Sequence, residues 1–260
     1  YNQICEEENC FLGIIEMKFE NISKTIAYKN GLKVKLLDDI SLEVNEGEIT
    51  SVLASAGSGK STLLKILCGL ELADSGEKID ANACLIPSQP SSFPWMNVTE
   101  NILFANEKLD EQTQNKLVHS VGLEGYENHY PNNNSLGFRF RIAIARALAV
   151  NPKLILLDEP FAEMDQKTKL EMLQLIVDLN KENKTAILLA TSNLSEALLV
   201  SQTMLFMKKG SSGLLPSEKI DYTSMSISDR MNSSSYSEYL TNSEKIAESF
   251  ATHQSFTISL

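Results

Sequence analysis

The sequence predicts an α/β fold with a mostly parallel sheet covered by helices on both faces, and three observations carry that prediction. Residues Ile49–Leu53 read as a buried strand, followed by a loop of small residues and the apolar helix Ser61–Leu70. A continuous apolar strand, Lys153–Leu157, ends at Asp158, and Thr185–Ala190 is a further strand. Between them the periodicity turns helical, over 97–150 with a break at Pro131–Asn134, and again over Gln166–Asn180. Strands that read as unbroken apolar runs are buried on both faces. When they alternate with helices they pair in parallel.

Ahead of this core, Lys18–Ile22 and Lys33–Val44 carry alternating apolar residues, with turn residues at Lys29–Asn30–Gly31 and Asn45–Glu46–Gly47. They read as β-rich segments. Ser195–Val200 starts a further helix. The stretch 211–260 is rich in Ser and Thr, a composition that favours a loosely ordered tail. Leu240, Ile246 and Phe250 stand at helical spacing, so one amphipathic helix is expected over Tyr239–Phe250. Met17 opens the orderly part of the chain, and residues 1–16 read as an N-terminal extension or remnant.

Composition narrows the partners. In 260 residues, 34 acidic against 23 basic side chains give a net charge of −11, which repels phosphate backbones, so no nucleic acid is expected. No apolar stretch approaches the roughly 20 residues that span a bilayer, and no secretory leader is visible. The four cysteines, Cys5, Cys10, Cys68 and Cys84, have neither metal-ligand spacing nor the density of a disulfide scaffold, which suits a reducing cytosol.

The loop Ala54–Ser55–Ala56–Gly57–Ser58–Gly59–Lys60–Ser61–Thr62 carries the chemistry. Between a strand and a helix, its glycines let backbone N–H groups turn inward as an anion nest at the positive end of a helix. Lys60 is placed to reach β- and γ-phosphates and Ser61 to ligate Mg²⁺. Ala54 stands where the usual pattern has its first glycine. About a hundred residues on, a buried strand delivers Asp158–Glu159, Asp158 to hold Mg²⁺ through water and Glu159 to polarise an attacking water. Together the two motifs read as a P-loop NTPase binding ATP and Mg²⁺.

Around these motifs the chain resembles the nucleotide-binding domain of ABC transporters over about residues 17–210, with a helical subdomain at about 90–148. It looks most like importer ATPases of the nitrate/sulfonate/taurine group. Met17–Lys24, Leu37–Leu42 and Gly47–Ile49 are similar to the family's antiparallel β subdomain. Pro94–Trp95, Val98 and Asn101 resemble that group's Pro-Trp-x-x-Val-x-x-Asn run. Gln89 stands at the Q-loop glutamine, which the resemblance makes a Mg²⁺ ligand and a contact to the permease. Ile142–Leu148 follows the trailing helix of the signature motif, Phe161–Asp165 the D-loop, and Ser195–Leu198 the segment after the switch histidine.

Three departures stand out. The family's Leu-Ser-Gly-Gly-Gln/Met signature aligns with Asn134–Ser135–Leu136–Gly137–Phe138, keeping Ser135 and Gly137. In the family this segment binds the γ-phosphate of ATP held by the partner subunit, and a side chain at Leu136 obstructs close backbone approach. Ser192 replaces the switch histidine; a serine is too short to reach the γ-phosphate and carries no charge. A lost hydrogen bond to a charged group costs about 1.5–3 kcal/mol, roughly ten- to a hundredfold in rate. The adenine-stacking aromatic is displaced, with Ile26 in its slot and Tyr28 left to stack.

The resemblance thus implies an ATPase subunit at the cytoplasmic face of the inner membrane. It would dimerise with a second ABC ATP-binding subunit, the same or different, and drive an integral membrane permease. It also implies a permease docking surface between Gln89 and 97–130, near Phe93 and Trp95. The competing expectation is a slowly or non-hydrolysing scaffold or regulatory subunit paired with a competent ATPase. A soluble P-loop kinase is opposed by the signature helix and D-loop.

Overall fold

The computed structural model describes residues 16–250, apart from 30, 79–81, 90–91, 132–134, 209–211, 217–218 and 223–224. The expectations placed on Cys5, Cys10, Asn134 and the N-terminal segment lie outside these residues. The chain opens with a long hairpin, β1 (Glu16–Ala27) and β2 (Lys33–Asn45), closed by a turn in which Gly31 takes φ +82°. Next come β3 (Ile49–Leu53), α1 (Lys60–Leu67), β4 (Ser75–Lys78) and β5 (Ala83–Ile86). A helical segment follows, with α2 (Val98–Leu103), α3 (Glu111–Ser120) and α4 (Leu136–Leu148). The chain returns to the sheet through β6 (Leu154–Asp158), α5 (Gln166–Asn183), β7 (Ala186–Thr191), α6 (Leu194–Val200), β8 (Thr203–Phe206) and β9 (Leu215–Pro216). Two helices close it, α7 (Ile227–Met231) and α8 (Ser234–Phe250).

The main sheet runs β5-β6-β7-β3-β8-β9, parallel throughout except for β9. A separate antiparallel sheet, β2-β1-β4, lies beside it. The three strands read from apolar runs, β3, β6 and β7, are buried at every residue. They feed two cores. Ile155, Leu157, Ile187 and Leu189 join the helices on one face of the main sheet, while Leu154, Leu156, Leu188 and Val52 join α1 and the antiparallel sheet on the other.

Two expectations need correction. The helix foreseen over Ser61–Leu70 stops at Leu67, because Gly69 takes φ +79° and the Leu70 amide reaches back to the Lys65 carbonyl at 2.8 Å. This is a Schellman-type ending, which leaves Leu70 exposed. Among its described residues the Ser/Thr-rich end also holds more than a single helix over 239–250. It forms α7 and the 17-residue α8, both packed against α6, all of whose residues are buried. A few large anchors hold this polar segment in place. Tyr222, Ile227, Tyr236 and Ala247 are buried, and Arg230 donates to the Leu199 carbonyl at 2.5 Å while its guanidinium lies 5.0 Å over the Tyr222 ring. A cation on a C-terminal carbonyl of α6 satisfies an orphan acceptor at the negative end of that helix.

Candidate functional site

The C-terminal ends of β3, β6 and β7 meet at one point, which brings the phosphate-loop lysine, the Asp–Glu pair and the residues after β7 together. After β3 the Ala54 amide bonds to the Thr191 carbonyl at 3.1 Å, tying the loop to the end of β7. Gly59 caps α1 at φ +106°, and a Cβ there would lie 2.9 Å from Leu37 Cδ2 and 3.0 Å from Leu36 Cγ. Only glycine fits beneath β2 in that conformation. Lys60 is 5 % exposed, and its ammonium donates to the carbonyls of Ala54 at 2.6 Å and Ser55 at 3.0 Å. It also pairs with Glu159 Oε1 at 3.0 Å. Ala56 and Gly57 are exposed on the loop's outer rim, Ser55 is buried, and Thr62 is half-buried in the first turn of α1.

Asp158 ends β6 with its carboxylate bonded by the Ser61 hydroxyl. Burial pushes its pKa up, the Ser61 bond pulls it down, Glu159 raises it and Lys60 lowers it, with a net rise. Its Oδ1 and the Ser58 hydroxyl are buried without a hydrogen-bond partner. Orphaned oxygens beside a serine hydroxyl at the mouth of a phosphate loop are the donor set that a hard cation and a phosphate oxygen satisfy. The residues present therefore fit Mg²⁺ with a nucleotide.

The raised pKa has a consequence for stability. A carboxyl whose folded pKa lies above its unfolded value favours the fold when protonated, and that contribution is lost as pH rises through the folded pKa. Asp158→Asn should therefore raise the melting temperature of the nucleotide-free protein. The gain should be near zero around pH 4 and grow toward pH 7, to roughly 2–4 °C for each kcal/mol relieved. A melting temperature that falls at pH 7 in thermal scans would contradict the burial argument.

Glu159 sits at φ +46°, a left-handed conformation uncommon for a non-glycine residue, fixed by its amide bonding to the Ala190 carbonyl at 2.8 Å and by Pro160 after it. That backbone turns the carboxylate into the site. Its Oε2 accepts from the Ser192 amide at 3.0 Å, the Ser192 hydroxyl at 3.2 Å and the Thr191 hydroxyl at 3.4 Å. A serine in place of the histidine still holds Glu159, through its backbone as well as its side chain. What it lacks is reach beyond Glu159.

The other predicted residues lie outside this hydrogen-bonded cluster. Gln89 is exposed, its amide donating to Glu163 at 3.4 Å. Tyr28 stands at the tip of the β1–β2 hairpin with its ring 52 % exposed. Ser135 caps α4, accepting from the Phe138 amide at 3.3 Å. Gly137 is buried, and a Cβ there would meet Thr168 Cγ2 at 2.7 Å. Leu136 is half-buried and packs against the core, and Phe138 meets the Tyr126 ring edge-on at 5.8 Å. Asp165 caps α5, accepting from the Thr168 amide at 3.0 Å and hydroxyl at 2.6 Å, bonds that hold its carboxyl below the usual range. His119 and His129 are exposed.

Sequence reasoning missed the layer behind Glu159. Thr191 is fully buried and donates to Glu196 Oε2 at 2.8 Å, and Glu196 pairs with Lys169 at 2.7 Å. One signal was available. Lys169 stands three and four residues before Met172 and Leu173 on the apolar stripe of α5, where a charge requires a buried partner.

Comparison with known proteins agrees with this geometry. The ABC transporter family profile matches residues 37–162. The aliphatic sulfonates import ATP-binding protein SsuB 2 of Pseudomonas syringae pv. tomato is 38 % identical over 175 residues, covering 66 % of this chain and 75 % of that protein. The taurine import ATP-binding protein TauB of Roseobacter denitrificans is 35 % identical over 206 residues, covering 74 % and 77 %. The dimeric structure of the ATP-binding cassette MJ0796 in a post-hydrolysis state, bound to ADP and Pi, superposes with a TM-score of 0.66 at 27 % identity, covering 79 % of this chain and 99 % of that one. With the phosphate loop, the Asp–Glu pair and the ABC-type P-loop NTPase fold in place, the chain belongs to the ABC transporter family of ATP-binding proteins.

Proposed function

We propose that this chain is the ATP-binding subunit of an importer for a small solute, coupling ATP binding and hydrolysis to a membrane permease. The observation that carries the reading is the convergence of Lys60, Ser61, Asp158 and Glu159, with buried oxygens of Ser58 and Asp158 awaiting partners. The named relatives, import ATP-binding proteins for aliphatic sulfonates and taurine, favour import of an organic sulfonate. Ser55–Thr62 would cradle the phosphates through backbone N–H groups, and Lys60 would turn from the Ala54 and Ser55 carbonyls to the phosphate oxygens. Ser61 and Asp158 would hold Mg²⁺, with Gln89 swinging in from Glu163 as a further ligand. Bound Mg²⁺ supplies charge neutralisation at the phosphates. Glu159, held by Ser192, would accept the proton of the attacking water. Tyr28 would stack on adenine, and Ser135, Gly137 and Asp165 would face the nucleotide of a second ATP-binding subunit across a dimer. Equilibrium titration with ATP, with and without Mg²⁺, tests the reading; absence of Mg²⁺-dependent binding would refute it.

A second reading, a slow subunit paired with a competent one, is favoured by two observations. The Ser192 hydroxyl is engaged by Glu159, and Leu136 and Phe138 stand where the family carries glycine and a polar residue.

For the permease, the surface offers a cleft of about 330 Å³ lined by Pro87, Phe93, Phe104, Ala143, Arg146 and Ala147. Arg146 lies 4.9 Å over the Phe93 ring, and Trp95, 69 % exposed, stands 5.5 Å from the same ring. An aromatic pocket beside a half-buried cation would suit a short amphipathic helix of the permease, which would hold this protein at the cytoplasmic face of the membrane. Among the described residues no helix is long and apolar enough to cross a membrane. A photo-cross-linker at Trp95 should capture the permease in the assembled transporter; capture only from the opposite face would rule the cleft out.

A further inference from the structure

We propose that Lys169 and Glu196 are positioning residues that, through the Thr191 hydroxyl, hold the Glu159 carboxylate in its working place; this rests on the nucleotide-site reading above. The contacts form an unbroken buried chain. Lys169, in the first turn of α5, pairs with Glu196 Oε1 at 2.7 Å. Glu196 Oε2 accepts from Thr191 Oγ1 at 2.8 Å, and the same hydroxyl lies 3.4 Å from Glu159 Oε2. The Asn193 amide donates to Thr191 Oγ1 at 3.1 Å, which fixes the oxygen from the other side. Lys169, Thr191 and Glu196 are all at least nine-tenths buried.

The electrostatics give the chain its purpose. One hydroxyl proton is shared between two carboxylates, with the closer contact to Glu196. Two carboxylates around one buried oxygen repel each other. Lys169 pairs with the deeper one and offsets that repulsion, so the Thr191 hydroxyl can lie between both. Without Lys169, Glu196 would be a buried charge without its partner, drawing Thr191 away and pushing Glu159 out of line with the water. The same first turn carries Asp165 as its cap and Thr168 against Gly137. The turn of α5 that carries Lys169 therefore also meets the start of α4, through Thr168.

Three changes test this in the full chain. Thr191→Val removes the hydroxyl at constant shape, and Thr191→Ser restores it. The pair Lys169→Met with Glu196→Leu removes both charges together, which buried pairs tolerate better than loss of one partner. Mg·ATP affinity from equilibrium titration should stay within about threefold, while single-turnover hydrolysis falls about tenfold or more in Thr191→Val and in the charge-free pair. Thr191→Ser should hydrolyse as the parent does. In the nucleotide-free protein, hydrogen exchange at the Ser192 amide, which donates to Glu159, should quicken about tenfold while the β6 and β7 amides keep their protection. Unchanged turnover and unchanged Ser192 exchange in folded variants would overturn the proposal, as would equal loosening of every amide in β7 and α6. Failure of the unaltered chain to bind Mg·ATP would sink the nucleotide-site reading instead, and the exchange data would still decide the network.

Discussion

Lys60→Ala is expected to abolish most Mg·ATP affinity, by at least about a hundredfold, close to 2.7 kcal/mol. Lys60 is the buried cation at the mouth of the phosphate loop, and each hydrogen bond lost between it and an anionic oxygen costs about 1.5–3 kcal/mol. In the nucleotide-free protein the same ammonium satisfies Ala54, Ser55 and Glu159. The substitution therefore also leaves Glu159 leaning on Ser192 and Thr191 alone. A thermal scan beside the titration separates the two effects, and Lys60→Met keeps the buried stem for comparison. Full affinity in a folded Lys60→Ala protein would overturn the assignment of the site.

The second large effect concerns rate. The chain on its own is expected to bind Mg·ATP normally but hydrolyse it far more slowly than an ordinary transport ATPase. Glu159 is present and held by Ser192, so the group proposed to polarise water is not what would fail. The Ser192 hydroxyl ends on Glu159 Oε2 at 3.2 Å and extends no further. Across the proposed dimer, Leu136 would stand where the family's glycine admits the backbone to the phosphate. Ser192→His with Leu136→Gly should therefore raise turnover more than either change alone, since both act on one transition state. Leu136 also packs against the core, so the glycine variant is expected to lose some stability while gaining rate. Robust hydrolysis by the unaltered chain would end the slow-subunit reading.

The strands that position the site were legible because they are buried on both faces: Leu154–Leu157 and Ala186–Ala190 are unbroken apolar runs, and Ile49–Leu53 interrupts its own only with the small Thr50 and Ser51. The phosphate loop and Asp158–Glu159 were legible because their chemistry fixes residue type and spacing together. Residues that act through burial rather than motif were not. Lys169 stands on the apolar stripe of α5, but its partner Glu196 lies 27 positions later and meets it only on folding. The α7–α8 segment was misjudged because serine and threonine dominate its composition, while its fold depends on Arg230, Tyr222 and Tyr236 meeting α6. The hold of Ser192 on Glu159 escaped because half of it is a backbone amide, which no side-chain identity reveals.

The alternation along β6 and β7 makes the two cores mechanically one. Neighbouring residues such as Leu156 and Leu157 are anchored in opposite layers, so neither layer can melt while the other keeps its strands. Occupancy of the phosphate loop should then be felt as slower proteolysis of α8, on the far side of the sheet, with no contact between ligand and helix. The protection should grow with nucleotide concentration as RT ln(1 + [L]/Kd) prescribes. A protease and a gel would thus read the occupancy of the phosphate loop from the other end of the chain.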